Sequence, residues 1–186
     1  MALTTIDPAA ALVVVDLQKG VVALPTVHPV GAVVENAARL VGAFRRHGLP
    51  VVLVNAAGRA PGRTEASRPM PPPEPDWAEL VDELEAQPED LRVTKVRWGA
   101  FHGTSLDTFL RDRGVTQVVV AGIATSAGVE STARGGHEHG YHVVLATDAM
   151  TDLDADVHRN SVERIFPRLG ETATTDEIVA MLDRTR

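Results

Sequence analysis

Residues 118–129 decide the fold, because they carry the chain from an apolar run into a turn of small residues: VVVAGIATSAGV. Residues 118–121 are all apolar, as expected of a strand that is buried on both faces of a parallel sheet. Small residues follow, and a sequence compatible with a helix continues to Arg134. We therefore predict a strand, a tight turn and a helix. This is an arrangement on which α/β hydrolytic enzymes mount a reactive side chain.

The same alternation of strand and helix runs along the rest of the chain. Short apolar runs bounded by turn residues predict strands, and apolar residues three and four apart predict helices. The predicted strands are 11–16, 51–55, 91–96, 117–123, 142–147 and 171–174, and the predicted helices are 32–47, 77–85, 105–113, 129–139, 155–166 and a last one from about 177. This pattern favours a three-layer α/β/α sandwich with a six-stranded, mainly parallel sheet. We predict one domain over residues 1–186, with an irregular insertion rich in proline and glycine at about 56–76.

The composition excludes several classes of function. The 186 residues carry a net charge of −7 and include no cysteine. Disulfides, thiolate metal sites and thiol catalysis are therefore excluded, and an acidic chain is not expected to bind nucleic acid. No apolar run approaches the ~20 residues that span a bilayer, and the N-terminus lacks the pattern of a signal peptide. We expect a cytoplasmic protein with no membrane contact.

Two charged residues stand at the ends of predicted strands, where the ligand site of an open parallel sheet lies. Asp16 follows an apolar run, and Lys95 is one of only two lysines in the chain. A carboxylate in such surroundings needs a cationic partner, so we predict an ion pair between Asp16 and Lys95. The pair is either a structural salt bridge or a proton-transfer group whose pKa the lysine adjusts. Composition alone leaves both open.

The order and spacing of four motifs resemble the isochorismatase-like (cysteine hydrolase) superfamily. The motifs are VDLQ at 15–18, KVRWGAFHGTSL at 95–106, GIATSAGVESTAR at 122–134 and TDA at 147–149. The resemblance implies that Asp16 and Lys95 belong to a catalytic triad whose third position, the family's cysteine, is Gly128 here. It also implies a cis peptide bond between Ile123 and Ala124, and an oxyanion hole formed by the Ala124 and Gly128 amides. The expected assembly is a homodimer or homotetramer.

Glycine at position 128 separates the chain from members that depend on a thiol. Members that cleave amides need the thiolate for an acyl-enzyme, whereas members similar to true isochorismatases carry glycine and hydrolyse a vinyl ether. The resemblance thus implies a hydrolase that acts on a small molecule, and one interpretation is that this molecule is cyclic. Asp16 would be the acid/base and water the nucleophile, and the bond cleaved would be a vinyl ether or a C–N bond. Two alternatives stay open: a catalytically silent homologue that binds a small molecule, and a Cys-to-Gly variant of an amidase- or lactamase-type cysteine hydrolase.

Further residues near these motifs are candidates for contact with the substrate. They are Gln18, Asn55, Trp77, Trp98, Phe101 and Thr125. Phe101 is alternatively a core residue, Trp98 alternatively lies at a subunit interface, and Gln18 is expected to be structural near the site. Residues 54–59, VNAAGR, lack the Asp-x-His cluster with which similar nicotinamidases bind a metal, so we expect neither a metal nor a cofactor. Ser126 and Ser131 are weak candidates for a replacement nucleophile, because neither occupies the cysteine's position.

Overall fold

The chain folds around a parallel β-sheet, and the computed structural model describes residues 3–58, 60, 62–65 and 74–185. The sheet has six strands in the order β3-β2-β1-β4-β5-β6, and every pair of neighbours is parallel. The strands are β1 (Ala10–Val15), β2 (Val51–Ala56), β3 (Leu91–Lys95), β4 (Gln117–Ile123), β5 (His142–Thr151) and β6 (Glu171–Ala173). The helices are α1 (Lys19–Val22), α2 (Val30–Arg46), α3 (Leu106–Asp112), α4 (Glu130–Glu138), α5 (Ala155–Asn160) and α6 (Thr175–Thr185). The predicted α/β fold is confirmed.

Apolar residues pack on both faces of the sheet. Every residue of β1 and of β4 is buried. On one face, α2 and α6 contribute side chains such as Phe44 and Leu182, and on the other face α3 and α4 contribute Leu110 and Ala133. Burial on both faces explains why these strands are nearly continuous apolar runs in the sequence. Within the described ranges, no helix combines the length and the apolar composition needed to cross a bilayer.

The helix predicted at 77–85 is wrong. This segment forms turns, with one 3₁₀ turn at Asp82–Leu84. Its backbone pairs with a distant part of the chain instead, since Leu80 forms a β-bridge with Gln18 and the Trp77 carbonyl accepts a hydrogen bond from the Gln18 side chain. Tertiary contacts of this kind override local helix propensity.

Two other segments end elsewhere than the sequence predicts. β5 continues to Thr151, beyond a shift in its register against β4, whereas the prediction ends it at 147. The helix predicted at 155–166 is an α-helix only to Asn160, and it continues as a π-turn, Ser161–Ile165, and a 3₁₀ turn, Phe166–Arg168. The longer β5 matters most, because its last residues lie beside the candidate site.

The predicted irregular insertion at 56–76 is described only in part. Residue 56 belongs to β2, and residues 57, 58, 60, 62–65 and 74–76 contain neither helix nor strand. Arg59, Pro61 and residues 66–73 lie outside the described residues, and with them the proline run of the prediction.

Candidate active site

Asp16 directly follows β1 and stands at the carboxyl end of the sheet. Its backbone lies in the left-handed region with φ 53°. Few residues other than glycine adopt this conformation, and Asp and Asn adopt it more often than the others. Its N–H donates to the Val54 carbonyl at 2.9 Å, so the end of β2 holds it in place. A backbone conformation of this kind, held by its surroundings, is common at functional positions.

Lys95, the last residue of β3, reaches Asp16 over the end of β2, which lies between their strands. Its Nζ donates to Asp16 Oδ2 at 2.7 Å and to the Arg97 carbonyl at 3.2 Å. Lys95 is 3% exposed and Asp16 is 7% exposed. The predicted ion pair is therefore confirmed, and it is buried, where either charge alone would be costly.

The two oxygens of the Asp16 carboxyl have different surroundings. Oδ2 accepts the hydrogen bond from Lys95, whereas Oδ1 is buried and has no hydrogen-bond partner within the described part of the chain. Burial raises the pKa of Asp16 to about 6, and the Lys95 ammonium opposes this rise without cancelling it. A carboxyl that titrates close to neutral pH, with one oxygen free, is suited to taking up and returning a proton.

The turn after β4 brings backbone close to this carboxyl. The Ile123–Ala124 peptide bond is cis, as the resemblance implied. Thr125–Val129 then form a π-turn that leads into α4; we call it the Thr125–Val129 turn. Gly122 has φ 119°, and a Cβ there would lie 1.9 Å from the Val15 carbonyl oxygen. Only glycine lets β4 and β1 approach this closely.

Gly128, within the Thr125–Val129 turn, lies against Asp16. A Cβ at position 128 would be 3.1 Å from Asp16 Oδ2 and 3.0 Å from Val15 Cγ1. The Gly128 carbonyl accepts a hydrogen bond from Thr132 Oγ1 at 2.7 Å. Three residues from separate parts of the sequence, Asp16, Lys95 and Gly128, thus come together. They meet between β1 and β4, where the strand order reverses and where ligands of such sheets bind.

Asp152 and His158 hold the Thr125–Val129 turn from its other side, and neither is among the site residues predicted from the sequence. Asp152, which is 4% exposed, accepts the Ser126 N–H on Oδ2 at 2.7 Å. The Thr125 hydroxyl is 2.9 Å from His158 Nδ1. A signal was present in the sequence, since Thr151 and Asp152 are polar residues directly at the end of a strand. It was overlooked because the prediction ended β5 too early.

Gln18 ties backbone segments together, which agrees with the structural role also expected of it, whereas its contact with a substrate stays a prediction. Its side chain is fully buried. Nε2 donates to the carbonyls of Ala56 and Trp77, at 3.1 Å each, and Oε1 accepts the Ala56 N–H at 2.7 Å. The amide is thus committed to backbone groups, and it ties the end of β2 to the segment at 77–80.

Asn55 and Trp77 also make mainly structural contacts. Asn55 donates from Nδ2 to the Ala78 carbonyl at 3.0 Å and accepts on Oδ1 from the Thr94 hydroxyl at 2.8 Å. The groove that Asn55 lines is not lined by Asp16, Lys95 or Gly128. The Trp77 indole covers Gly20, where a Cβ would lie 1.8 Å from the ring. Contact of these two side chains with a substrate stays a prediction.

Phe101, Trp98 and Thr125 have three different environments. Phe101 is buried, with its ring centroid 5.0 Å from His139 and 5.8 Å from Tyr141, which favours the core alternative over substrate contact. Trp98 is 64% exposed, so its indole is open to a substrate or to another subunit. Thr125 is fully buried and its hydroxyl bonds to His158, so its hydroxyl supports the turn.

Potential metal ligands do not cluster in the part of the chain that the structure describes. No group of three or more His, Cys, Asp or Glu residues there has the geometry to hold a metal ion. Asp148, part of the TDA motif, accepts hydrogen bonds from the backbone N–H and the hydroxyl of Thr175 at 2.7 and 2.9 Å. It therefore connects β5 to the start of α6.

A family model described as the isochorismatase domain matches residues 10–177 of this chain. The chain belongs to the isochorismatase family. It is 42% identical over 179 residues to the isochorismatase family protein YwoC of Bacillus subtilis (strain 168), which covers 91% of this chain and 92% of that protein. It is 35% identical over 177 residues to the ureidoacrylate amidohydrolase RutB of Pseudomonas savastanoi pv. phaseolicola, which covers 78% of this chain and 72% of that protein.

Solved structures of isochorismatase-family proteins share the fold. An isochorismatase family protein from Burkholderia thailandensis superimposes with a TM-score of 0.91 at 42% identity, covering 96% of this chain and 98% of that one. N-carbamoylsarcosine amidase from Thermoplasma acidophilum superimposes with a TM-score of 0.73 at 28% identity, covering 90% of this chain and 96% of that one. These likenesses extend over nearly the whole isochorismatase domain.

Proposed function

We propose that this isochorismatase-family chain is a hydrolase that cleaves a C–N bond of a small molecule, with Asp16 as acid/base and water as the nucleophile. The observation that carries the proposal is the Asp16 carboxyl. It is buried, Lys95 holds its Oδ2, its Oδ1 has no hydrogen-bond partner among the described residues, and it lies beside a residue without a side chain.

Water is the proposed nucleophile because neither candidate hydroxyl, that of Ser126 or that of Ser131, occupies the position of the absent thiol. The chain contains no cysteine. Ser126 is held through its backbone N–H by Asp152, and Ser131 lines a groove that is not lined by Asp16, Lys95 or Gly128. A hydroxyl without an adjacent base is a poor nucleophile. Glycine at 128 places no side chain against the Asp16 carboxyl.

The reaction steps follow from the carboxyl's two states. Asp16 Oδ1 removes a proton from water, and the hydroxide forms a bond to the carbonyl carbon of the substrate. The carbonyl oxygen becomes an oxyanion, which the N–H groups of Ala124 and Gly128 stabilise. The oxyanion collapses, the C–N bond breaks, and Asp16 Oδ1–H returns its proton to the leaving nitrogen. Lys95 keeps the carboxyl oriented throughout.

Two relatives support a C–N bond over a vinyl ether. RutB is an amidohydrolase and the Thermoplasma protein is an amidase. Vinyl-ether hydrolysis, in which Asp16 would begin as the protonated acid, and a catalytically silent binding protein are the alternative outcomes of the test.

The first experiment incubates the purified protein with amides, N-carbamoyl compounds, lactams and vinyl ethers and assays the products. On the C–N substrate found, Asp16→Asn should lower kcat/KM by about 100-fold or more, since proton transfer by a positioned group contributes on that order. Asp112→Asn, a change at an exposed carboxylate on α3, is the matched control and should leave kcat/KM unchanged. Full activity in Asp16→Asn would contradict the mechanism. No turnover of any substrate class by the wild type would favour the silent protein.

A second pair of variants tests the space at position 128. Gly128→Cys places a thiol beside Asp16, and we expect it to increase amidase activity through an acyl-enzyme. Gly128→Ala adds only the Cβ, which would lie 3.0–3.1 Å from Val15 and Asp16, so we expect it to lower activity by displacing the Asp16 carboxyl. Wild-type kinetics in Gly128→Ala would show that the reaction tolerates a side chain against this carboxyl.

A further inference from the structure

The Thr125 hydroxyl and the His158 imidazole form a pair that the proposed reaction steps do not use. Thr125 Oγ1 lies 2.9 Å from His158 Nδ1, and Thr125 is fully buried. Thr125 is bonded directly to Ala124 and begins the turn that contains Gly128. The pair therefore joins α5 to the same backbone segment that supplies the proposed oxyanion hole.

A second histidine stands against His158. The ring centroids of His28 and His158 are 4.6 Å apart, and the rings meet edge to face. His28 Nδ1 is 2.9 Å from the Thr151 hydroxyl, and the His28 backbone N–H points to the same oxygen at 3.3 Å. The loop before α2 is also fixed by the Val27 N–H, which donates to the Asp152 carbonyl at 2.8 Å.

We propose that His158, in its neutral form, is a positioning residue for the reaction. It would accept the hydroxyl hydrogen of Thr125 and thereby hold the Thr125–Val129 turn in its reactive geometry. This inference rests on the proposed function, because it gives the turn a role in stabilising the oxyanion.

The direction of the hydrogen bond makes the arrangement sensitive to protonation. Neutral His158 with its proton on Nε2 offers Nδ1 as an acceptor to the Thr125 O–H. Protonated imidazole carries a hydrogen on both nitrogens, so Nδ1 becomes a donor and the Thr125 hydroxyl hydrogen must turn away inside a fully buried site. A small displacement of the turn would follow, and misplacing reacting groups by about 1 Å can cost about 100-fold in rate.

The groups around His158 favour the neutral form. Those that face it or share its helix are His28, Asp152, Asp154, Asp156 and Arg159. Burial and the neighbouring His28 lower the pKa of His158, and Asp152 acts in the opposite direction with a smaller effect. Asp156 pairs with Arg159, and Asp154 caps the N-terminus of α5.

The kinetic test uses matched variants at both ends of the bond. Thr125→Val removes the hydroxyl at nearly constant shape, and we expect kcat to fall about tenfold or more with little change in KM, whereas Thr125→Ser keeps the wild-type kcat.

His158→Gln retains an acceptor that does not titrate. On the acid side, log kcat/KM of the wild type should reach a slope of two where both Asp16 and His158 are protonated, and His158→Gln should keep a slope of one. His142→Gln, on the exposed start of β5, should behave as the wild type.

A second readout needs no substrate. In the wild type we expect the NMR chemical shifts of the Thr125 methyl and the Gly128 amide to change with pH. The midpoint of this change should be that of the His158 ring. His158→Gln should lose this pH-dependent change in chemical shift and keep the change that belongs to Asp16. His28→Ala should move the midpoint to higher pH, because His28 lowers the pKa of His158.

Each outcome separates this inference from the proposed function. If Thr125→Val lowers only the melting temperature, or Gly128 titrates identically in His158→Gln and the wild type, the positioning role is overturned. Loss of activity in Asp16→Asn would still uphold the proposed function in that case. If the chemical shifts change with pH as expected but no substrate class is turned over, the proposed function fails. The proposed role of His158 in catalysis then fails with it.

Discussion

The chemistry proposed for this protein depends on how one carboxyl group is partnered. Burial destabilises the ionised form of Asp16, and the Lys95 ammonium stabilises it. The desolvation is larger, so the pKa is raised to about 6. An Asp with its usual pKa near 4 would be a weak base. The unpartnered Oδ1 gives this base an atom with which to take a proton.

The pH dependence of kcat/KM distinguishes the two bond types at this residue. For C–N hydrolysis the free enzyme needs Asp16 ionised, so kcat/KM should rise as pH increases through about 6 and then level off. For a vinyl ether it needs Asp16 protonated, and kcat/KM should fall through the same pH. A pH–rate profile from about pH 4 to about pH 8, roughly two units to either side of the Asp16 pKa, measures the direction. A flat profile would argue against Asp16 as the titrating group.

At the scale of elements, the site depends on segments that are held by side chains rather than by regular pairing. The Thr125–Val129 turn is supported by Asp152 and His158, and the segment at 77–80 is supported by Gln18. A π-turn at the head of a helix is rare in proteins and frequent at functional sites. Gln18 follows Asp16 closely, and Asp152 and His158 bond to Ser126 and Thr125, which lie just before Gly128. The supports therefore couple the stability of the loops to the geometry of the site.

Replacing Gln18 with Ala tests this support. The change leaves the Ala56 N–H and two carbonyls without their buried partner, and we expect the free energy of unfolding to fall by about 3 kcal/mol. Gln87→Ala is the control, because Gln87 is exposed and bonds only to nearby residues; its effect should stay within about 0.5 kcal/mol. Urea denaturation measures both. Equal stability of the two variants would contradict the structural role of Gln18.

At the scale of the whole molecule, the strand order determines where the site lies. β1, β2 and β3 extend to one side and β4, β5 and β6 to the other, so the order reverses between β1 and β4. Asp16 follows the first of these two strands and the Thr125–Val129 turn follows the second. The crevice at such a reversal is left open because the flanking connections diverge to opposite faces.

Several exposed apolar side chains belong to segments that follow strands of the sheet. They are Leu24, Val27, Val96, Trp98, Leu153 and Val157, and they lie in segments that follow β1, β3 and β5. Apolar side chains that are exposed together commonly mark an interaction surface. The homodimer or homotetramer expected from the family resemblance would cover some of these side chains.

Light scattering coupled to size exclusion tests this assembly. We expect a dimer or tetramer at micromolar concentration, and Trp98→Glu should shift it toward the monomer, because a charge at an apolar interface must be desolvated. His142→Glu, at the opposite end of the sheet, should leave the mass unchanged. A monomeric wild type would contradict the predicted assembly.

The strands, their order along the chain and the Asp16–Lys95 pair could be predicted from the sequence. Doubly buried strands are apolar runs by necessity. Asp16 and Lys95 both stand at the ends of predicted strands, which meet at one edge of a parallel sheet, and a buried carboxylate needs a cationic partner. The roles of Gln18, Phe101 and His158 were decided by the tertiary structure. Gln18 bonds to a residue 38 positions away and Thr125 to one 33 positions away. Such contacts arise only when the sheet brings distant loops to one edge. A local pattern of residues therefore does not predict which distant residue a side chain will contact.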